Sequence, residues 1–242
     1  MKLGIMQPYF FPYIGYFQLI NAVDTFVLFD DVQHMRHGWI NRNRILKPNG
    51  GWQYILVPLK KYPHKELIKN VQIQLNSKWR ELIIGQLEHY KKKARYFEET
   101  NELIREILFS QNEQNIAMIN FSILKKLSEY LGMNTKIIVS SEQNFDYENV
   151  SNSGEWALRI AEQMSADEYI NPLDGKDLFN PEKFLSSNIR LSFLECDKIE
   201  YNQVNEYEPN LSIIDVLMFN GKAGVQSLLS HYSTRTFKNN DY

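Results

Sequence analysis

Cysteine is almost absent from this chain: one thiol, Cys196, stands among 242 residues. A single thiol excludes an internal disulfide and any cysteine-rich metal site. It closes "IRLSFLEC", which reads as a buried strand, so a buried structural thiol is expected rather than a nucleophile. Long apolar runs are also lacking. No segment approaches the roughly eighteen consecutive apolar residues of a spanning helix, and the first residues lack the plan of a secretory signal. A cytoplasmic chain without membrane insertion is therefore expected. Charge of one sign is missing too, with a formal net charge of −2. That balance excludes a bulk electrostatic grip on DNA or on an anionic membrane. Absent as well are the GxxxxGK[ST] phosphate loop, the GxGxxG fingerprint and the serine nucleophile elbow. The conventional kinase, dehydrogenase and hydrolase readings have nothing to stand on.

What is present is an α/β rhythm. "KLGIM" (2–6) and "TFVLF" (25–29) read as buried strands, with helical spacing between them from Tyr16 to Val23. This is a compact βαβ unit whose strands should be parallel. "WQYILVPL" (52–59) and "VQIQL" (71–75) are further strand candidates. Three helical patterns follow, at about 77–93, 100–110 and 115–131, with Gly132 as a C-terminal stop. The alternation then resumes: strands at 135–141, 168–171 and 189–195, and helices at 153–164, 212–219 and 222–231. Asn152 and Glu155, like Ser212 and Asp215, have capping-box spacing. The tail "TFKNNDY" is polar and reads as loose. The expected fold is a Rossmann-like, mostly parallel α/β body (1–76 and 133–242) carrying a helical insertion (77–132), as one compact unit.

In an open parallel sheet, ligands bind at the carboxyl ends of the strands. Three segments fall there. In "QPYFFPYIGYF" (7–17) the prolines stiffen the loop, and Gly15 opens a helix whose free amides can face an anion. Gln7, Tyr13, Gly15 and Tyr16 are candidates for a ligand, while Phe10, Phe11 and Phe17 suit the core. "DDVQHMRHGWINRNRI" (30–45) is the densest in chemistry. Arg42 and Arg44 suit phosphate or carboxylate. Trp39, Asn41 and Asn43 suit a sugar or a base, and Asp30 joins the substrate side. Asp31 or His37 is the general-base candidate. A solvated charged face is the plain alternative, but the run lacks lysine and is broken by Trp39 and Ile40. His34 and His37 match no strong metal motif, so no metal site is expected. In "NPLDGKDLF" (171–179), Asn171 and Asp174 are candidates by strand-end position, although turn chemistry alone also explains them.

These residues carry a resemblance. "IMQPYFFPYIGYFQLI", "DTFVLFDDVQHMRHGWINRNRI" and "LSIIDVLMFNG", with "EYINPLDGKDLFNPEKF" and "IRLSFLE", resemble the WbqC-like family of bacteria from about residue 2 to about 221. Members are met among genes for surface polysaccharides, often beside makers of nucleotide-linked amino sugars. The resemblance implies a transferase that places an acyl or aminoacyl group on the sugar amine. Its implied partners are a nucleotide-linked amino sugar and an activated donor. If that donor is an aminoacyl-tRNA, Lys91, Lys92, Lys93 and Arg95 would offer it a basic face, though a solvated helix end is the plainer reading. "YIGY" (13–16) also resembles the HIGH tetrad of nucleotidylyltransferases and class I aminoacyl-tRNA synthetases in its place after the first strand. Here Tyr13 and Tyr16 replace both histidines, and no KMSKS-like loop follows. Tyrosine donates a hydrogen bond but carries no positive charge, so the likeness implies the fold more than the adenylation. An ATP- and magnesium-dependent ligase or nucleotidylyltransferase, with Asp30 and Asp31 on the metal, is the first alternative. A non-catalytic nucleotide-sugar-binding protein is the second.

Overall fold

A computed structural model describes residues 1–75, 77–110, 112–148, 150–203 and 206–236. The first apolar run forms β1 (Lys2–Met6), the next helical pattern forms α1 (Ile14–Asn21), and "TFVL" forms β2 (Thr25–Leu28). β1 and β2 pair in parallel, as a βαβ unit requires. After β5 (Lys136–Val139) and α5 (Ser153–Gln163), the chain returns to β1's other side as β6 (Glu168–Pro172). It then passes through α6 (Pro181–Ser186) to β7 (Arg190–Cys196). A last strand, β8 (Tyr232–Thr236), pairs antiparallel with β7. The six-stranded order is β5-β2-β1-β6-β7-β8. Taken alone, the five parallel strands run 3-2-1-4-5 in chain order, a Rossmann-like arrangement. The order reverses between β1 and β6, so the crevice outside their carboxyl ends is the switch point where such sheets bind ligands.

Two segments depart from the expected pattern. Residues 52–59 yield only β4 (Trp52–Leu56), which pairs antiparallel with β3 (Arg42–Leu46) in a separate ribbon. β3 lies inside the charged run that read as a strand-end loop. Its inward residues, Asn43 and Ile45, alternate with Arg42 and Arg44, and that alternation makes it a strand. "VQIQL" does bury Val71 and Ile73, but single bridges to Leu59 and Asn115 replace a ladder, so no strand forms.

The helical segment holds α2 (Trp79–Leu87), a 3-10 turn (Glu88–Lys92), α3 (Phe97–Phe109) and α4 (Ile116–Tyr130). Its apolar stripes share one core with α1 and with α7 (Ile213–Leu228). A second core, under α5 and α6, includes Tyr169, Phe184 and Phe193. Gly221, at φ 65° and ψ −178°, breaks α7 in two, where two helices had been expected. Cys196 corrects another expectation: β7 ends on it and it is exposed. The reading of the tail as loose misses β8, which takes Thr236, and residues 237–242 lie outside the described residues. No helix among the described residues is long and apolar enough to cross a membrane.

Candidate functional site

The loop after β1 is held by its own carbonyls. Asn120 Nδ2, from α4, donates to Pro8 O at 2.7 Å and to Ile40 O at 2.8 Å. Asn43 Nδ2 donates to Phe10 O and Phe11 O, each at 3.0 Å. Ser212 Oγ donates to Phe11 O, and the Ile213 amide to Pro12 O. Tyr16, itself buried, donates its hydroxyl to Gln7 O at 2.8 Å. With these acceptors satisfied and Phe10, Phe11 and Phe17 fully buried, the loop is a rigid platform. What it leaves towards the crevice are Gln7, Tyr9 and Tyr13, all half-buried. Gly15 is required by close approach: a Cβ there would stand 2.4 Å from Tyr13 Cε2 and 2.9 Å from Cys196 Sγ. The Tyr13 ring therefore lies across the first turn of α1. Burial, then Cys196, Asp174 and Tyr9, push its hydroxyl up to about 12, so it stays a neutral donor.

The two aspartates after β2 divide their roles. Asp30 is buried and accepts from Ser140 Oγ, Ser141 N and Ser141 Oγ at 2.7–3.0 Å. It bolts the end of β2 to the end of β5. Asp31 accepts from Lys69 Nζ at 2.8 Å and from Tyr147 Oη at 2.9 Å, with 8% of its side chain exposed. Burial alone would raise its carboxyl, but hydrogen bonds from Lys69, Ser140 and Tyr147 outweigh that and hold it below the usual carboxylate range. Beside it, Phe29, Tyr147 and Trp156 form a half-exposed aromatic wall with centroids 4.6–6.1 Å apart. Both carboxylates present their oxygens to donors, an arrangement that does not fit a magnesium ion.

The charged run divides between turn and ribbon. His37 is exposed in a tight turn at φ 66°, and its carbonyl accepts from Arg42. His34, by contrast, is buried and bonded to Tyr62. Arg42 lies 4.2 Å from the Tyr54 ring centroid. Arg44 sits between Trp39 and Trp52, at 5.3 and 5.2 Å. Among the described residues, both guanidinium groups hydrogen-bond only to backbone carbonyls, and neither pairs with a carboxylate. Arg44 Nε is buried without a partner. Stacked, planar and uncompensated, the two form a positive ribbon face suited to phosphate. Asn41 closes the ribbon through Val57 O, and Asn43 turns inward to the platform, so neither amide belongs to that face.

Near the end of β6, Asn171 is buried and bonded to Tyr169 and to Pro172 O, while Asp174, beyond the strand, is exposed near Tyr13 and Cys196. The basic cluster of the insertion is solvated: Lys91 faces Glu98 at 3.7 Å, Lys93 holds Pro48 O and Arg95 covers Tyr96. The structure thus brings Gln7, Tyr13, Gly15 and Asp174 to the switch-point side and Arg42, Arg44 and Trp39 to the ribbon. Asp30, Tyr16, Asn43 and Asn171 are committed to holding them. Sequence reading missed Lys69, Tyr147, Trp156 and Asn120. Only Asn120 carried a local signal, a polar residue on the buried stripe of α4. A separate cleft, about 390 Å³ between α5 and α6, is lined by groups already paired: the caps Asn152 and Asn180 and the ion pair Lys183–Glu155.

The model of the WbqC-like protein family matches residues 7–227. The chain is 30% identical over 219 residues to an uncharacterized protein, Rv1507c, of Mycobacterium tuberculosis (strain ATCC 25618 / H37Rv), covering 89% of this chain and 92% of that one. No solved structure matches. With the match running from the loop after β1 to the last turn of α7, this chain belongs to the WbqC-like protein family.

Proposed function

We propose that this chain is a transferase that places an acyl or aminoacyl group on the amine of a nucleotide-linked amino sugar. The observation that carries the reading is Asp31, an ionised and largely buried carboxylate at the end of β2 beside an aromatic wall. An amine arrives as an ammonium ion, and such a carboxylate attracts it. The aromatic rings supply a flat wall for a sugar. Arg42 and Arg44, without acidic partners among the described residues, hold the diphosphate. The amine must lose its proton before it attacks an acyl carbon. A carboxylate held low is a weak base, so Asp31 anchors the amine, and His37 is the candidate left to take the proton. The acyl–donor bond breaks as the amide forms, and the donor's leaving group departs with the electron pair.

The setting that the family resemblance implies, among genes for surface polysaccharides and beside makers of nucleotide-linked amino sugars, motivates the choice of sugar. The place of "YIGY" at the N-cap and first turn of α1, the helix that follows β1 in a 3-2-1-4-5 sheet, favours one alternative, an ATP-dependent ligase. AMP or ADP formed in step with acylated sugar would select it. Kinetics of sugar acylation test the roles. His37→Ala should lower kcat by about a hundredfold or more with KM nearly unchanged. Arg44→Ala should instead raise KM. Turnover unchanged in His37→Ala would remove His37 as the base.

A further inference from the structure

A cavity of about 280 Å³ opens at the first turn of α1, between that helix, the end of β7 and the connection that follows it. The proposed transfer does not use it. Its wall has three chemical parts. The first turn of α1 has no side-chain cap and its Tyr16 amide is spent on Tyr13 O, so what it offers is the positive end of the helix and the amides ahead of Tyr16. Tyr13 adds a hydroxyl that burial keeps protonated. Gln18, fully buried, also lines the cavity. Its Nε2 donates to Leu228 O and His231 O at 2.8 and 2.9 Å, and its Oε1 has no partner among the described residues. An orphaned acceptor this deep calls for a donor, and an uncapped turn calls for an acceptor or an anion. Asp197 lines the cavity and Asp174 does not, but both, after burial of the sulfur against Gly15, raise the thiol of the otherwise exposed Cys196 to about 11. The remaining wall is mixed: Ile199, Leu211 and Val216 give an apolar patch, Tyr201 and Tyr207 spend their hydroxyls on Asp215 and Ile199 O, and Lys198 pairs with Glu200.

We infer that this cavity binds a small α-amino acid as its zwitterion. The carboxylate lies on the first turn of α1 with the Tyr13 hydroxyl. The ammonium group faces Gln18 Oε1 and the Asp197 side, and the side chain takes the apolar patch. The volume, near the lower end of the about 300–1,000 Å³ usual for drug-sized ligands, favours a molecule of this size. Gly15 belongs to the same design, because any side chain there would drive Tyr13 out of place. A free carboxylate is what this cavity would hold, and an activated aminoacyl donor has none, so the inference stands apart from the proposed transferase.

Cys196 supplies the test, because it lines the cavity, is exposed and is the only thiol in the chain. The full-length protein is alkylated with iodoacetamide in the presence of glycine, alanine, serine or leucine, or of their N-acetyl and methyl ester forms. At least one free amino acid should slow alkylation, and its two blocked forms should not. Tyr13→Phe should raise the concentration giving half protection by about tenfold, the loss of one hydrogen bond to a charged group. Asp197→Asn, at an exposed position outside the core, should weaken protection in the same direction. Absence of protection by every free amino acid, or equal protection by blocked forms, overturns the inference. The readout is binding, so acylated sugar without protection removes the cavity alone. Protection without any acylated sugar removes the transferase and leaves the cavity standing.

Discussion

Asn43 and Asn120 show what a single buried amide does here. Each ties two carbonyls to one amide at a fixed point of the platform after β1, with Phe11 O holding Ser212 Oγ as a second donor. Asn43→Ala leaves the Phe10 and Phe11 carbonyls short of donors in a dry site. It should destabilise the fold by about 2–4 kcal/mol, read as a lower urea midpoint with an unchanged slope. A change below about 0.5 kcal/mol would mean that the loop is not held this way. At this scale the sequence was legible where position alone decides. Gln7, Tyr13, Gly15 and Asp31 follow strand ends, and strand ends are readable from apolar runs. It was illegible where partners come from afar. Lys69 reaches Asp31 across 38 residues and Tyr147 across 116, and neither carries a local mark. Asp215 was misread for the same reason. Its spacing from Ser212 fits a cap, and Ser212 does cap Ile214, but the carboxylate turns inward to Tyr90, Tyr201 and Gln203.

Among the elements, α7 depends on one residue. Gly221 adopts a backbone conformation open almost only to glycine, and a Cβ there would stand 2.7 Å from the Tyr96 ring. Gly221→Ala should therefore cost about 1–3 kcal/mol, measured by denaturant unfolding. A neutral result would show that the kink is not needed to seat Tyr96. The break itself was readable, because two apolar-periodic stretches flank that glycine. β8 was not, since "YSTRT" is polar and exposed, and only its ladder with β7 makes it a strand. β3 was hidden similarly, by arginines on the outward positions of an alternating segment.

For the whole molecule, Asp215 ties four distant pieces together: α7, the 3-10 turn of Tyr90, the connection at Tyr201 and Gln203, and, through Tyr90, the Leu46 amide of β3. Burial raises its carboxyl from 3.8 to about 6, against the hydrogen bonds of Tyr201, Tyr90 and Gln203, which lower it. The folded state then holds a proton that the unfolded state has released, so stability falls as pH rises from about 4 to about 6. Asp31 acts oppositely: its lowered carboxyl stabilises the fold above the ordinary carboxylate range, and that contribution is lost as acid protonates it. Urea midpoints taken across this range should show Asp215→Asn losing less stability than the parent chain as pH rises. Parallel curves would refute the assignment.

The fold and its switch point follow from the order of five parallel strands, and the site from what stands at their ends. The most direct test of the proposed chemistry is the mass of the product. The purified chain is incubated with nucleotide-linked amino sugars and a pre-activated acyl or aminoacyl donor, and the sugar is weighed by mass spectrometry. The transferase reading predicts a sugar heavier by one acyl or aminoacyl group, formed without ATP and lost in Asp31→Asn. Sugar that binds but never gains mass with any donor would contradict it, and would make this a nucleotide-sugar-binding protein.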